Sequence, residues 1–325
     1  MKSLESEKAL LAGIIDYAGT FPPAALTLED ALSFAATYRR TGRYPWLMSK
    51  IALPLKQITG LDSEILFRLG ADGTPWLYTA LGTKNENPDE FAAGVEWDVR
   101  EIRRFNERRR DSALRQSIVG YETKIPDTWL ENISAEGVFS NFAPVLSRFA
   151  ALFGNDVTPF MEVGKVRDWP SVVPILCDGI SQWQHEEGGS MPVGLKFRTG
   201  GATPPTASEL AATISACAQF HLKFKATQGL HHPISTESEF GFLNLFASLS
   251  FAYLLGTDTF GPKQIEACLT DTSTKAFVFR EDQLNWNEFS IQSEQIEGVR
   301  RIHGATFGSC SLKEPEDFLT EYFES

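Results

Sequence analysis

Two short segments of this sequence place basic residues at alternate positions and then turn at glycine. The first reads GLKFRTGG (194–201) and the second reads FKATQGLHHP (224–233). Alternate side chains of a strand share one face, so Lys196 and Arg198 should point the same way. By the same rule Lys223, Lys225 and Thr227 should share a face. Cations on a buried face are unfavourable unless they are paired or used. The two segments therefore predict a site for an anion or a carbonyl group.

A reactive lysine is the chemistry that these segments suggest most directly. Lys196 and Lys225 fall on neighbouring predicted strands, and like charges held close in a nonpolar interior should push one ammonium group towards neutrality. A neutral lysine amine is a nucleophile or a base. Arg198 would hold the anionic group of a substrate, and His231 or His232 in the following loop would act as an acid.

Other polar residues recur where strand-like runs end. In α/β barrels the reacting groups lie at the carboxyl ends of the strands and in the loops that follow. A carboxylate there would move protons, while the turn 308–311 and a glycine pair at the start of a helix would offer amides to an anion. The predicted catalytic residues are Asp16, Glu122, Glu162, Lys196, Lys225, His231 and His232. The predicted substrate-binding residues are Arg198, Thr227, Gly200, Gly201, Asn244, Ser309 and Cys310.

Strand-like runs alternate with helical periodicity along the chain, which indicates a parallel sheet. The count favours a (β/α)8 TIM-type barrel over an open sheet. The predicted strands are 12–18, 49–53, 76–80, 116–122, 159–163, 193–199, 222–227 and 305–309. The predicted helices are 27–40, 63–69, 90–110, 129–153, 169–183, 208–221 and 241–255, with Thr27–Asp30 and Thr206–Glu209 as capping pairs.

One barrel domain over residues 1–325 fits the length of the chain. The runs 276–280 and 285–291 are typical of a β-hairpin, which we predict as an insertion at about 276–291, before the last strand. The apolar run 240–256 is short for a membrane span and contains Asn244, so a helix buried on most sides is predicted there.

The composition argues against several classes of function. The chain has 42% hydrophobic and 22% charged residues and a net charge of −12, which disfavours broad binding to nucleic acid or to anionic membranes. The four cysteines form no CxxC pair, so neither a disulfide framework nor a zinc knuckle is indicated. We expect a cytoplasmic protein with no signal peptide and no cofactor, whose partner is a small anionic metabolite. Homo-oligomer formation is left open.

Four segments together resemble an uncharacterised family of bacterial proteins. They read DYAGTFPPA, GLKFRTGG, FKATQGLHHP and FGSCS, and the likeness runs from Asp16 to Ser311. This resemblance implies no activity. The chain is also similar to class I aldolases of the deoxyribose-phosphate type, which carry lysines on two neighbouring barrel strands. Lys196 and Lys225 match that placement, although the surrounding motifs differ, and the similarity implies Schiff-base chemistry on a lysine.

Three functions are open on the sequence alone. The first is a lyase of aldolase type, or an isomerase, acting on a small carbonyl compound that bears a carboxylate or phosphate. The second is a metal-dependent hydrolase with Asp16, Glu122, Glu162 and His231 as ligands, although no HxH or HExxH spacing supports it. The third is a barrel that binds an anionic metabolite without turning it over.

Overall fold

Short strands bounded by helices build the framework of this chain. The computed structural model describes residues 3–69, 74–82, 87–110, 114–131, 133–164, 168–188, 191–304 and 306–324. The strands are β1 (Ile15–Tyr17), β2 (Met48–Pro54), β3 (Trp76–Leu81), β4 (Gln116–Lys124), β5 (Thr158–Glu162), β6 (Gly194–Arg198), β7 (Lys223–Thr227), β8 (Phe277–Phe279), β9 (Gln283–Trp286), β10 (Phe289–Gln292) and β11 (Phe307–Ser309). The α-helices are α1 (Glu5–Leu11), α2 (Leu28–Thr41), α3 (Leu55–Thr59), α4 (Ser63–Arg68), α5 (Pro88–Arg109), α6 (Asp127–Glu131), α7 (Ala135–Phe153), α8 (Trp169–Trp183), α9 (Ala207–Gln219), α10 (Phe242–Leu255), α11 (Pro262–Thr270), α12 (Ser293–His303) and α13 (Lys313–Glu324).

Eight of the strands close into a parallel barrel. Their order around the ring is β1-β11-β7-β6-β5-β4-β3-β2, and every neighbouring pair is parallel. The last strand in the sequence, β11, lies between β1 and β7 and completes the ring. The predicted (β/α)8 TIM-type fold is therefore confirmed.

The two faces of β6 and β7 divide as their alternation predicts. Leu195, Phe197, Phe224 and Ala226 are fully buried on the side that meets the helices. The rings of Phe197 and Phe224 stack with centroids 5.3 Å apart, and Trp169 of α8 packs edge-on against Phe197. Because this face is apolar, the lysines of the same strands point into the barrel.

Both predicted capping pairs form. The Thr27 side chain accepts a hydrogen bond from the amide of Asp30 at the start of α2. At α9 the bonds are reciprocal, because the Glu209 amide donates to Thr206 and the Thr206 amide donates to Glu209. These caps satisfy amides that the first helical turn would otherwise leave unpaired.

Two predicted boundaries differ from the structure. The first strand begins at Ile15 rather than residue 12, because Ala12 caps α1 and Gly13 turns the chain with a φ of +64°. The predicted helix 129–153 is two helices, and the second begins where the Ser134 side chain accepts a hydrogen bond from the amide of Gly137. Residue 305, at the start of the last predicted strand, lies outside the described residues.

The apolar run near residue 250 forms α10, which is buried from Phe242 to Ala252. Phe242 and Phe246 pack against Phe307 of the last barrel strand, with ring centroids 5.9 and 6.1 Å apart. The predicted buried helix is therefore confirmed. No helix in the described part of the chain is both long and apolar enough to cross a membrane.

A small antiparallel sheet of β8, β9 and β10 stands apart from the barrel. The predicted second strand of the hairpin, 285–291, is divided between β9 and β10 by a turn at Asn287, whose φ is +49°. Trp286 anchors this sheet by donating its indole N–H to Asp271, 2.9 Å away, and by packing against Phe260. The segment therefore contains three strands rather than two.

Candidate functional site

A cavity opens at the carboxyl ends of the barrel strands. Its volume is about 610 Å³, and Phe21, Pro22 and Pro23 form part of its rim. Because α/β barrels carry their reacting groups at this end, the cavity is the candidate site. The predicted residues that line it are Glu122, Glu162, Lys196, Arg198, Gly200, Gly201, Lys225, Thr227, His231, Ser309 and Cys310.

Glu122 of β4 bridges the two predicted lysines. Its Oε2 lies 2.6 Å from Lys196 Nζ, and its Oε1 lies 2.7 Å from Lys225 Nζ. The side chain of Glu122 is 5% exposed and that of Lys225 is 1% exposed, so both ion pairs are shielded from water. In such surroundings an ion pair is favourable only when its geometry is good and its remaining polar atoms have partners.

Glu162 of β5 extends the charge network towards the mouth. One of its oxygens lies 2.9 Å from Lys196 Nζ, and the other accepts a hydrogen bond of 2.8 Å from Arg198 Nε. The exposed fraction of the side chain rises along this series, from 7% for Lys196 to 51% for Arg198. Arg198 is therefore the cation of this network that an incoming anion meets first.

Asp16 forms the floor of the network and does not line the cavity. Its carboxylate pairs with Lys225, accepts a hydrogen bond of 2.9 Å from Thr79 Oγ1 and lies 3.4 Å from Lys50 Nζ. Lys50 and Thr79 were not among the predicted site residues. The sequence signal for Lys50 was a charge within the mainly apolar strand β2, on the face that alternation directs inward.

All three carboxylates of the network are held ionised. Burial opposes the charge of Glu122, but Lys196 and Lys225 outweigh it and lower its pKa to about 2. The pKa of Asp16 is also lowered, because Lys225 and Lys50 overcome the cost of complete burial. Lys196 and Arg198 act in the same way on Glu162, whose pKa lies below its usual value.

Both lysines are held in the ammonium form. Burial alone would lower the pKa of Lys196, but Glu122 and Glu162 more than compensate and raise it. Lys225 likewise has a raised pKa, because Asp16 and Glu122 outweigh burial. The prediction that their proximity would neutralise one of them is therefore wrong for the free protein, since a carboxylate stands between the two charges.

The two glycine-containing loops that follow β6 and β7 are joined. The Thr199 hydroxyl donates a 2.6 Å hydrogen bond to the Gln228 carbonyl, and a Cβ added to Gly200 would lie 2.6 Å from the Gly229 Cα. This close backbone approach requires glycine. Gly200 and Gly201 do not begin a helix, because α9 starts at residue 207, so the predicted helix-terminal anion site is absent there.

The two adjacent histidines have different surroundings. His231 lies at the rim of the cavity, where its Nδ1 is 3.0 Å from Glu314 Oε2 of α13. The ring of His232 does not line the cavity and packs against Phe318, with centroids 4.2 Å apart. Only one of the two side chains is therefore at the site.

Asn244 lies away from the cavity and serves the packing of α10 against α11. Its Nδ2 donates to the carbonyls of Cys268 and Asp271 at 2.7 and 2.8 Å, and its Oδ1 accepts from the Ser235 amide at 2.9 Å. The side chain is fully buried. Its predicted contact with substrate is not supported by this position.

The turn after β11 closes on itself. Ser309 Oγ donates to the Ser311 carbonyl at 2.6 Å and accepts from the Ser311 amide at 3.2 Å. That amide is therefore already engaged, which weakens the predicted anion-binding turn. Cys310 is a free, half-buried cysteine on the cavity wall.

The acidic residues do not form a convergent ligand set. No group of three His, Cys, Asp or Glu side chains suited to a metal ion occurs among the residues that the structure describes. Asp16, Glu122 and Glu162 each face cations instead, and His231 contacts Glu314. This arrangement gives the hydrolase hypothesis no geometric support.

Comparison with known proteins supports the fold and no more. No protein-family description and no curated protein sequence matches this chain. Two solved structures of a "putative deoxyribose-phosphate aldolase" from Toxoplasma gondii ME49 are similar to it. The apo form has 11% identity and a TM-score of 0.50 over 98% of this chain and 96% of that one. The other has 10% identity and a TM-score of 0.49 over 98% and 93%.

At this level of identity the likeness shows the barrel fold alone, in agreement with the closed parallel sheet. The fold implied by the aldolase resemblance is thus confirmed. The resemblance of the four segments to a bacterial family stays a prediction.

Replacing Glu122 by Gln should destabilise the protein by about 3–5 kcal/mol near neutral pH, because two buried ammonium groups lose a shared carboxylate. The pKa of Glu122 is about 2 in the folded protein against an ordinary 4.5. Its contribution is therefore complete above pH 4.5 and lost as the pH falls towards 2. Urea unfolding gives the free energy of unfolding at pH 6 and at pH 3. The decrease between these two pH values should be smaller for Glu122→Gln than for the native protein. Equal losses would contradict this assignment, and the exposed Glu64→Gln is the control.

Replacing Asn244 by Ala should lower the free energy of unfolding by about 3 kcal/mol, because buried backbone groups of α11 lose their partners. Binding of anions in the cavity should be unchanged in the folded variant. Denaturation and anion titration of the same preparation test both statements. If Asn244→Ala weakened anion binding and left the free energy of unfolding unchanged, Asn244 would be a site residue and the packing role would be wrong.

Proposed function

We propose that this protein is a lyase of the class I aldolase type that acts on a small carbonyl compound bearing a carboxylate or phosphate. The observation that supports it most is the position of Lys196, which lies on the cavity wall between two carboxylates with a second lysine beside it. Such a lysine can form an imine with a carbonyl group once it loses its proton.

Lys196 is the better nucleophile of the two lysines. Lys225 is the more deeply buried and is fixed by Asp16 and Glu122 above the Phe160 ring, whose centroid is 5.3 Å from Nζ. Lys196 shares Glu162 with Arg198 and so lies next to the cation nearest the mouth. A carbonyl carbon placed by Arg198 therefore meets Lys196 before Lys225.

Arg198 couples substrate binding to deprotonation of Lys196. Glu162 is ionised partly because Arg198 and Lys196 stabilise its charge. When the anionic group of a substrate binds the Arg198 guanidinium, Glu162 loses part of that stabilisation and its pKa rises. Glu162 then becomes a better acceptor for the Lys196 proton, 2.9 Å away.

The bond changes follow from the neutral amine. The Lys196 lone pair attacks the carbonyl carbon, and a proton moves from the nitrogen to the oxygen to give a carbinolamine. Glu162 returns the proton that it took from Lys196 to the new hydroxyl, and loss of water gives a protonated imine. The bond between the α and β carbons then breaks. Its electron pair forms a carbon–carbon double bond to the former carbonyl carbon, and the C=N π pair passes to the nitrogen, so an enamine remains on Lys196. The hydroxyl proton of the departing aldehyde passes to a carboxylate, for which Glu122 is placed between the two lysines. An isomerase would share the imine and differ only after it.

A second candidate function is binding of an anionic metabolite without turnover. The observation that favours it is the completeness of the charge network, in which both lysines are protonated and every carboxylate is paired. In that case Arg198 would still bind the ligand, but Lys196 would never lose its proton.

Borohydride trapping separates the two candidates. Reduction in the presence of small aldehydes and ketones, with and without a carboxylate or phosphate, should leave a covalent adduct on Lys196 that peptide mass spectrometry locates. Lys196→Met should abolish the adduct, and the exposed Lys56→Met should not change it. Arg198→Met should reduce trapping of the anionic compounds by about tenfold or more, since it removes a charge-assisted contact.

An adduct on Lys225 alone would refute the choice of nucleophile. No adduct with any compound, together with anion binding that depends on Arg198, would favour the binding function over the lyase.

A further inference from the structure

A second cavity lies at the opposite end of the barrel, where the strands begin. Its volume is about 470 Å³, and helices α1 and α12 form one side of it. Five cationic side chains line it, and Glu297 alone among the described lining residues bears a carboxylate. The cations are Lys8, Lys50, Lys223, Arg300 and Arg301.

The strands direct these cations to one place. Lys223 is the first residue of β7 and shares the inward face with Lys225, while Lys50 reaches in from β2. The Lys223 ammonium donates to the carbonyl of Arg301, 3.3 Å away, which ties β7 to the end of α12. Arg300 donates to the carbonyl of Ala12 at 3.3 Å and stacks over the Phe246 ring.

This cluster carries more positive charge than nearby carboxylates balance. Within the described ranges, neither Lys8, Lys223 nor Arg301 forms an ion pair with a carboxylate, and Lys50 reaches Asp16 at 3.4 Å. Burial, followed by repulsion from Lys50 and Arg300, lowers the pKa of Lys223 to about 8. An anion bound there would remove this repulsion.

A buried hydroxyl faces the same space. Thr306, immediately before β11, lines the cavity and is 6% exposed. Its Oγ1 has no hydrogen-bond partner among the residues that the structure describes. Because buried polar atoms in proteins almost always have a partner, this hydroxyl indicates a ligand or water in the cavity.

We propose that this cavity, at the amino ends of the barrel strands, binds a small dianionic oxyanion such as phosphate. Lys223 and the exposed Arg301 supply cations, Lys50 supplies a further cation beside Asp16, and Thr306 supplies a hydroxyl donor. The site is distinct from the cavity at the carboxyl ends, since Phe160 and Lys225 lie between them. Anion binding in this second cavity does not depend on the proposed lyase activity.

Lys50 connects the two ends of the barrel. Its ammonium lines the second cavity and also lies 3.4 Å from Asp16, which pairs with Lys225. An anion in the second cavity would therefore compete with Asp16 for Lys50. Lys50 is unsuited to a binding test for this reason, because its replacement would disturb both sites.

Phosphate titration by calorimetry at constant ionic strength tests the proposal with the full chain. Arg198→Met serves as the background, because it removes the exposed cation of the first cavity. In that background phosphate should still bind saturably, and adding Lys223→Met or Arg301→Gln should weaken its affinity by about tenfold or more. The exposed Lys263→Met makes the same change of charge as Lys223→Met and should leave the affinity unchanged.

Two results would overturn the proposal. One is the absence of saturable phosphate binding in Arg198→Met. The other is an affinity in the Lys223→Met and Arg301→Gln variants equal to that of Lys263→Met. The Arg301→Gln variant separates loss of binding from loss of folding, because Arg301 is exposed and its replacement should not disturb the barrel interior.

Discussion

The bridge from Glu122 to Lys196 and Lys225 is the interaction on which the barrel interior depends. Strands β6 and β7 pair in a register that sets Lys196 directly beside Lys225. Like charges at directly opposed positions destabilise a sheet, and both side chains are almost completely buried. A carboxylate between them converts that repulsion into two ion pairs. Without it, each ammonium group would keep a single carboxylate partner, Glu162 for Lys196 and Asp16 for Lys225.

The rest of the network follows the same strand pairing. Glu162 is the register partner of Lys196, and Asp16 is the register partner of Lys50. A shift of one residue in any of these strands would turn the charges towards the helices and the apolar residues inward. Barrel interiors are usually filled with branched apolar side chains. This one is filled instead with acids and bases, which makes it suited to chemistry or to anion binding.

The charge distribution gives the two ends of the barrel different properties. At the carboxyl ends, acids and bases alternate up to Arg198, so a ligand that binds Arg198 shares this cation with Glu162. At the amino ends, cations predominate around Lys223, and a ligand would relieve repulsion. The overall charge of −12 conceals both features, because the acidic residues are spread over the whole chain.

Sequence reasoning identified the barrel and most of the cavity wall, because both depend on alternation within single strands. Lys196, Arg198, Lys225 and Thr227 line the cavity as that alternation predicts. The remaining errors concern long-range partners. The sequence could not show that Glu122 separates the lysines, that His231 meets Glu314, or that Asn244 binds the carbonyls at the end of α11. Lys50 lies within β2 rather than at its carboxyl end, so the rule that places reacting groups at strand ends does not select it.

The most direct test of this account measures the protonation states of Lys196 and Lys225. Nitrogen NMR of their Nζ groups as a function of pH reports these states. Signals lost in Lys196→Met and Lys225→Met identify the two groups. The bridge predicts that both hold their protons beyond the ordinary lysine pKa of 10.5 in the free protein. It also predicts that Glu122→Gln lowers both values together. A lysine of this pair that titrates below 10.5 in the native protein, or that is unaffected by Glu122→Gln, would contradict the account.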